Sequence, residues 1–203
     1  MSVTFIQKVV LVFVVTWLLS ACSVFPPVKT EQTTAYVLNT LPRPVVKKST
    51  RKITLMVMQP ATSSVYNTTE MAYTIRPYQI AYFAKSRWAE TPAQMVQLLL
   101  AQALEETHHF DIIGLSPALG HYDYVLDMQL LQFQQRFFAQ TSDVIIRLQV
   151  QLIKTATNQV IITKQLVAIE PAPENTPYGG VVAANKAVAK LLAQVVKLCL
   201  QSQ

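Results

Sequence analysis

The three histidines are the first candidates for metal binding or acid–base chemistry. They are His108, His109 and His121. Side chains of neighbouring residues on a helix point about 100° apart, so His108 and His109 cannot chelate one ion from the same helix face. No His or Cys spacing supplies the remaining ligands of a zinc site. The sequence therefore predicts no metal site, and a polar helix end is the simpler interpretation of the histidine pair.

A serine and two aspartates are the remaining candidates for hydrolytic chemistry. Gly114-Leu-Ser116-Pro-Ala118 departs from the Gly-x-Ser-x-Gly elbow of serine hydrolases, because Ala118 replaces the second glycine that permits the sharp turn. Asp123 and Asp127 are four residues apart, roughly 13 Å along a strand, which exceeds the carboxyl spacing of glycosidases. The sequence predicts that the protein is not an enzyme and needs no cofactor.

Cys22 has the one chemical role that the sequence predicts. It follows Leu19-Ser20-Ala21, and the four residues resemble the bacterial lipobox, Leu-(Ala/Ser)-(Gly/Ala)-Cys. In such signals the thiol receives a diacylglycerol, a peptidase cuts before the cysteine, and the new amine is acylated. Lys8 and the apolar run 9–19 suit a secretory signal, since a bilayer-spanning helix needs about 20 apolar residues. The alternative is an ordinary signal peptide with an incidental cysteine, or an uncleaved anchor.

These features divide the chain into a signal peptide (1–21), a lipidated tether (22–34) and a single domain (35–203). Each CH₂ group of an acyl chain that is buried in the bilayer contributes about 0.8 kcal/mol to membrane binding, so three chains would make the attachment effectively permanent. By resemblance to lipoprotein sorting in Gram-negative envelopes, Ser23 rather than aspartate favours the periplasmic face of the outer membrane. With Cys22 acylated, no intramolecular disulfide can form, and Cys199 is interpreted as a small buried hydrophobe.

Positive charge is concentrated just after the predicted tether. Removal of Lys8 with the signal leaves 16 of the 17 Lys and Arg residues against 11 Asp and Glu, a formal charge of +5. Five of these positive charges lie between Arg43 and Lys52, with no acidic residue among them. Nucleic acid is a poor partner for a secreted, lipid-anchored chain. The segment either lies on anionic phospholipid headgroups or is a solvated linker.

Hydrophobic periodicity predicts the elements that position these residues. Alternating apolar residues predict an antiparallel meander of three long strands within 124–169, with a bulge where the apolar parity switches at Leu130 and Leu131. Thr91-Pro92-Ala93-Gln94 predicts the capped start of one helix, and the apolar stripe within 181–199 predicts a second. The predicted fold class is α+β, a mostly antiparallel sheet with two amphipathic helices packed on one face.

One block, Tyr73 to Pro92, stands out by its aromatic residues and arginines. It contains a predicted hairpin, or two short strands, around Pro77, and it ends in Arg87-Trp88-Ala89 and Pro92. The block resembles the signature of the ABC-type transport auxiliary lipoproteins, whose members include the lipoprotein of the paraquat-inducible operon. In that family a Tyr-rich strand leads through Arg-Trp-Ala-x-x-Pro into the first helix. Thr74 departs from the pattern, because many members have arginine there.

The resemblance extends in order of elements over nearly the whole mature chain. Tyr36-Val37-Leu38 is a short candidate strand just past the tether, Pro60 follows a buried strand predicted at 53–58, and Gly180-Val-Val-Ala183 begins the last helix. The residues so marked for partner binding or for structure are Tyr36, Leu38, Pro60, Tyr82, Arg87, Trp88, Ala89 and Pro92.

Side-chain chemistry leaves both roles open for the Arg87-Trp88 pair. Tryptophan buries a large ring, and arginine bonds carbonyls or stacks on aromatic rings, which suits a structural lock. Arginine and aromatic residues are also enriched at interfaces, so exposure of Tyr78, Tyr82 and Phe83 would favour a binding surface.

The resemblance implies a non-enzymatic, membrane-anchored component of an ABC-type transport system. Its partner would be a mammalian-cell-entry (MCE) domain protein that crosses the periplasm in intermembrane lipid trafficking. The lipoprotein would dock the far end of that partner at the outer membrane, and a homo-oligomer would match the symmetry of MCE assemblies. The alternative is a structural or envelope-assembly lipoprotein, similar to a pilotin, with no transport role. A lipid-modifying hydrolase is a third class.

Overall fold

The computed structural model describes Gln7 and residues 32–45, 52–116 and 120–201. The last three ranges contain nine strands and two α-helices, with a short 3-10 helix at Thr155–Thr157. The chain divides into two units, Met1–Gln32 and Thr33–Gln203, and these elements belong to the second. Cys22, the predicted signal peptide and most of the predicted tether lie outside the described residues. The strands are β1 (Thr34–Tyr36), β2 (Thr54–Val57), β3 (Ala61–Thr62), β4 (Glu70–Thr74), β5 (Ala81–Trp88), β6 (Ile112–Gly114), β7 (Tyr124–Phe137), β8 (Ser142–Lys154) and β9 (Gln159–Pro171). The helices are α1 (Pro92–Glu105) and α2 (Pro177–Gln201).

The three longest strands form the predicted antiparallel meander β7–β8–β9. Inward-facing residues of β7 change parity from Leu130 to Phe133, and the β7–β8 register shifts between Leu130 and Gln132. An extra residue on one strand of a pair flips every later side chain to the other face. The bulge predicted from the parity switch is therefore confirmed.

The short strands give the sheet a mixed character that periodicity did not indicate. β2, β3 and β4 each pair in parallel with β7, β6 pairs in parallel with β2, and β1 pairs in parallel with β5. Each parallel pair covers only two or three residues, whereas the antiparallel ladders of β7, β8 and β9 run along whole strands. The α+β class is confirmed, with parallel pairing confined to short strands.

Helix α1 begins where the capping pattern predicted. The Thr91 hydroxyl accepts the backbone N–H of Gln94, and the Gln94 side chain accepts the backbone N–H of Thr91 at 3.2 Å. Pro92 occupies the first turn, where a missing N–H leaves no helical bond unmade. The result is a fixed junction between the end of β5 and the helix.

Helix α2 buries its apolar stripe against β8, β9 and α1. The predicted stripe positions are all buried: Val181, Ala184, Val188, Leu191, Leu192, Val195 and Cys199. They join one core with the inward residues of the meander, such as Leu126, Met128, Ile146 and Leu148. The burial predicted for Cys199 is confirmed, and removal from water raises the pKa of its thiol to about 12.

Candidate functional site

The Arg87-Trp88-Ala89 motif lies at the end of β5, where successive side chains point to opposite sides. Trp88 is only 3% exposed, and its ring packs edge-on against Phe133 with 5.5 Å between ring centroids. Its backbone N–H donates to the carbonyl oxygen of Thr69 at 2.7 Å. Arg87 is exposed and lies opposite Glu70 in the β4–β5 pair. The structure thus places the two halves of the Arg-Trp pair in different environments.

Backbone and sulfur contacts tie this motif to the segment that follows β1. The N–H of Ala89 donates to the carbonyl oxygen of Tyr36 at 2.7 Å. The N–H of buried Leu38 donates to Met95 Sδ in α1 at 3.4 Å. This contact turns the chain away from β5, which explains why β1 ends at Tyr36 rather than continuing to Leu38 as predicted. Tyr36, Leu38, Trp88, Ala89 and Pro92 are therefore gathered around the start of α1.

Asn185 of α2 completes this closure, and the sequence reasoning did not identify it. Its Oδ1 accepts the backbone N–H groups of Asn39 and Thr40 at 2.9 and 3.2 Å and the Thr40 hydroxyl at 3.1 Å. Its Nδ2 donates to the carbonyl oxygens of Val37 and Val181 at 3.2 and 3.1 Å. Asparagine is a poor residue for a helix interior, and its presence in α2 was the available signal.

Two further predicted residues lie apart from this closure. Pro60 is buried after β2. Tyr82 is half-buried in β5, and its hydroxyl donates to the carbonyl oxygen of Val65 at 3.1 Å. Tyr82 thereby holds the loop between β3 and β4 rather than presenting its hydroxyl to solvent.

The β4–β5 hairpin, the other half of the same block, ends in an exposed turn. The Thr74 hydroxyl donates to the carbonyl oxygen of Arg76 at 2.7 Å, and this carbonyl also accepts the N–H of Gln79 at 3.3 Å. Tyr78 has φ of 65° and is fully exposed. Thr74, at the position where the family often has arginine, is thus used to fix the turn.

An aromatic cluster of Tyr73, Phe83 and Phe137 packs next to the hairpin turn. Tyr73 stacks on Phe83 at 4.5 Å, and Phe137 at the end of β7 contacts both rings edge-on. Beyond it the chain exposes Phe138 in the β7–β8 turn. We call the exposed apolar residues of the two turns the tip patch, which consists of Ile75, Tyr78, Ile80 and Phe138.

One ion pair fixes the β7–β8 turn beside the tip patch. The Arg136 guanidinium donates through Nε and Nη2 to both carboxylate oxygens of Asp143, at 2.7 and 2.6 Å. Hydrogen bonding to Asp143 raises the pKa of Arg136. The Arg136 guanidinium also lies 5.7 Å from the centroid of the Phe138 ring. Arg136 therefore links the two strands on either side of the β7–β8 turn and also contacts an exposed residue of the turn.

Among the residues first considered for chemistry, Asp123 has a structural hydrogen-bonding role. Asp123 Oδ2 accepts both the N–H and the hydroxyl of Thr54 at 2.8 and 2.9 Å. His109 is buried, and His108 has a positive φ in the turn that follows α1. Within residues 32–45, 52–116 and 120–201, no three His, Cys, Asp or Glu side chains group so as to hold a metal ion. Ala118 lies outside the described residues.

Among the described residues, no helix combines the length and hydropathy that a bilayer-crossing helix requires.

Solved structures with similar folds have low sequence identity. Protein XCC0632 of Xanthomonas campestris superposes with a TM-score of 0.76 at 15% identity, covering 83% of this chain and 96% of that one. A second crystal structure, of an uncharacterized protein, gives a TM-score of 0.68 at 16% identity, with coverage of 83% and 99%. These similarities concern the fold. No curated protein matches the chain at a significant level.

The family comparison covers most of the chain. The family of ABC-type transport auxiliary lipoprotein components matches residues 36–196, from β1 to the last third of α2. This range includes the closure around Trp88, the tip patch and the whole meander. The chain therefore belongs to the family of ABC-type transport auxiliary lipoprotein components.

Proposed function

We propose that the mature protein is anchored in the outer membrane through acylated Cys22 and docks an MCE-domain protein of an ABC-type transport system, in intermembrane lipid trafficking. Family membership is the observation that carries the proposal. The lipobox resemblance of Leu19-Ser20-Ala21-Cys22 supplies the anchor that a lipoprotein requires.

A binding role, without catalysis, is supported by how the polar groups are used. Asp123, Tyr82 and Asn185 are engaged in bonds that join strands, loops and helices. The tip patch, in contrast, offers apolar and aromatic side chains to the surroundings. Surfaces of this composition suit recognition of a partner or of a membrane.

Substitution of each cysteine in turn tests the anchor. We expect Cys22→Ala to abolish [³H]palmitate labelling and to release the protein from the membrane fraction. Cys199→Ala is the matched control, because its thiol is buried and has a pKa raised to about 12, so labelling should persist. Labelling of Cys22→Ala equal to that of the unmodified sequence would refute the anchor.

Crosslinking in the native envelope tests the partner. We expect an MCE-domain protein among the captured species when the protein has Cys22, and a large reduction with Cys22→Ala. Capture of envelope-assembly components without any MCE-domain protein would instead favour the pilotin-like alternative. A free, unacylated protein in the periplasm would contradict the docking role altogether.

A further inference from the structure

We propose that the tip patch rests on the bilayer that holds the lipid anchor, with its aromatic and aliphatic side chains in the headgroup region. This inference rests on the proposed acylation of Cys22 and adds a second point of membrane contact. It assigns an orientation, in which the end of the sheet that has the two turns faces the membrane.

Sheet register brings the two turns of the tip patch together. Strands β4 and β7 are parallel, with Thr74 beside Arg136. Ile75 and Phe138 therefore follow these positions at the same end of the sheet. Their exposed fractions are 60% and 54%, and that of Tyr78 is 108%. Two turns distant in sequence thus form one exposed apolar surface.

The composition of the hairpin turn fits a membrane interface. Tyrosine and other aromatic residues concentrate at the headgroup level, where one end of the ring is apolar and the other is wet. Arg76 is exposed in the same turn, and no acidic residue lies between Thr74 and Ala81. A cation at this depth is attracted to anionic phospholipid. The nearby Asp143 carboxylate is bound by Arg136.

The backbone at Tyr78 also indicates a function for its side chain. A bulky residue with φ of 65° occupies a region that glycine or asparagine adopts with less strain. Its full exposure means that packing within the domain does not compensate this strain. A strained residue that does not stabilise the fold is typical of a binding site.

The chain enters β1 from the side of the sheet that has the hairpin turn. Strand β1 is parallel to β5, with Thr34 beside Ser86 and Tyr36 beside Trp88. The polypeptide therefore approaches β1 from the side on which β5 begins, which is the side of the hairpin turn. Cys22 precedes Thr34 by 12 residues, and an extended chain of this length spans at most about 43 Å.

The contacts of α2 give the same direction independently. Gln135 lies beside Tyr73 in the sheet. Its Nε2 donates to the carbonyl oxygen of Thr176, just before α2, at 3.2 Å. Tyr36 contacts Tyr178 in the first turn of that helix, with 6.1 Å between ring centroids. The start of β1 thus lies near the end of the sheet that has the tip patch, and the segment after it runs away toward Asn185.

Tryptophan fluorescence in lipid vesicles tests the orientation. Acylated mature protein with Tyr78→Trp is reconstituted into vesicles of phosphatidylethanolamine and phosphatidylglycerol with bromine on their acyl chains. The matched control is Ile112→Trp, which is also exposed but lies in β6, beside Thr54 at the start of β2. Tyr124 and Gln135 mark the two ends, 11 residues apart along β7, which corresponds to roughly 36 Å.

The two reporters have opposite expected outcomes. After subtraction of the emission of buried Trp88, we expect bromine to quench the emission of the tryptophan at position 78 and not that of the tryptophan at position 112. In vesicles without bromine, we expect a blue shift of the emission for Tyr78→Trp and none for Ile112→Trp. Equal quenching of both reporters, or of neither, in protein that floats with the vesicles would overturn the orientation and leave the anchor intact. Failure of the unmodified protein to float with vesicles would refute the anchor, and this inference with it.

A photo-crosslinking amino acid at position 78 tests whether a protein covers the patch instead. We expect lipid adducts in the intact envelope. A protein adduct formed in preference to lipid would overturn the assignment of the patch to the bilayer and make it a protein interface.

Discussion

Both halves of the Tyr73–Pro92 block contain aromatic residues and an arginine, but the two halves differ in burial. The second half contains Trp88, which is 3% exposed and packed on Phe133. The first half presents Tyr78 fully to the surroundings, on a strained backbone. The family resemblance marks the whole block, but burial divides it into a structural closure and an exposed surface.

This contrast separates the two roles that side-chain chemistry left open. Around Trp88, strand, helix and N-terminal segment are joined by backbone hydrogen bonds and by the side chain of Asn185. At the tip patch, Thr74 fixes the hairpin turn, the Arg136–Asp143 pair fixes the β7–β8 turn, and the four patch residues themselves stay exposed. We therefore expect substitutions in the closure to change the free energy of unfolding, and those in the tip patch to change membrane contact.

The largest expected effect is that of Trp88→Ala. Loss of a buried tryptophan ring leaves a cavity, and we expect the free energy of unfolding to fall by about 3–5 kcal/mol. Urea denaturation followed by circular dichroism measures this change. The neighbouring Arg87→Ala is the control, because an exposed residue should change stability by no more than about 0.5 kcal/mol. Equal effects of the two substitutions would remove the distinction between the halves.

A smaller loss is expected from Asn185→Ala. The substitution leaves the N–H groups of Asn39 and Thr40 without their acceptor, and we expect the free energy of unfolding to fall by about 1–3 kcal/mol. Asn185→Asp keeps an acceptor for these N–H groups but places a carboxylate oxygen against the carbonyl oxygens of Val37 and Val181, so we expect it to be destabilising as well. Lys186→Ala, at the exposed neighbouring position, serves as the control. A stability of Asn185→Ala equal to that of the control would contradict the assigned closure.

Tyr82 lies between the two halves, and Tyr82→Phe sharpens their boundary. The change removes one hydrogen bond, to the carbonyl oxygen of Val65, and keeps the ring. We expect a loss of about 0.5–1.5 kcal/mol, together with faster amide exchange in the loop between β3 and β4. Unchanged exchange there would mean that the hydroxyl does not hold the loop.

The smallest effect, and of opposite sign, is expected from Tyr78→Gly. Glycine adopts positive φ without the Cβ clash, so we expect the free energy of unfolding to stay constant or to rise by up to about 1 kcal/mol. Ile75→Gly is the control at a position of negative φ, where about 1 kcal/mol should be lost. A marked destabilisation by Tyr78→Gly would show that the tyrosine packs in the native state.

Local patterns in the sequence predicted the regular parts of the fold. The α1 cap, the α2 stripe and the bulge near Leu130 follow from residues close together in the chain. The parallel pairs of β1 and β4 were not predicted, because a strand of three to five residues carries no signal of its neighbour's direction. Asn185 was missed for a related reason, since its partners are some 146 residues away.

What the sequence determined by itself is therefore the period, capping and order of the elements, because these depend on neighbours within a few residues. It also marked Cys22 as the predicted lipid attachment site. Only the tertiary structure decided which aromatic residues are buried, because burial depends on what other segments cover them. Trp88 is covered by Phe133 and the segments around it, and Tyr78 is covered by nothing in the described domain, residues 32–45, 52–116 and 120–201.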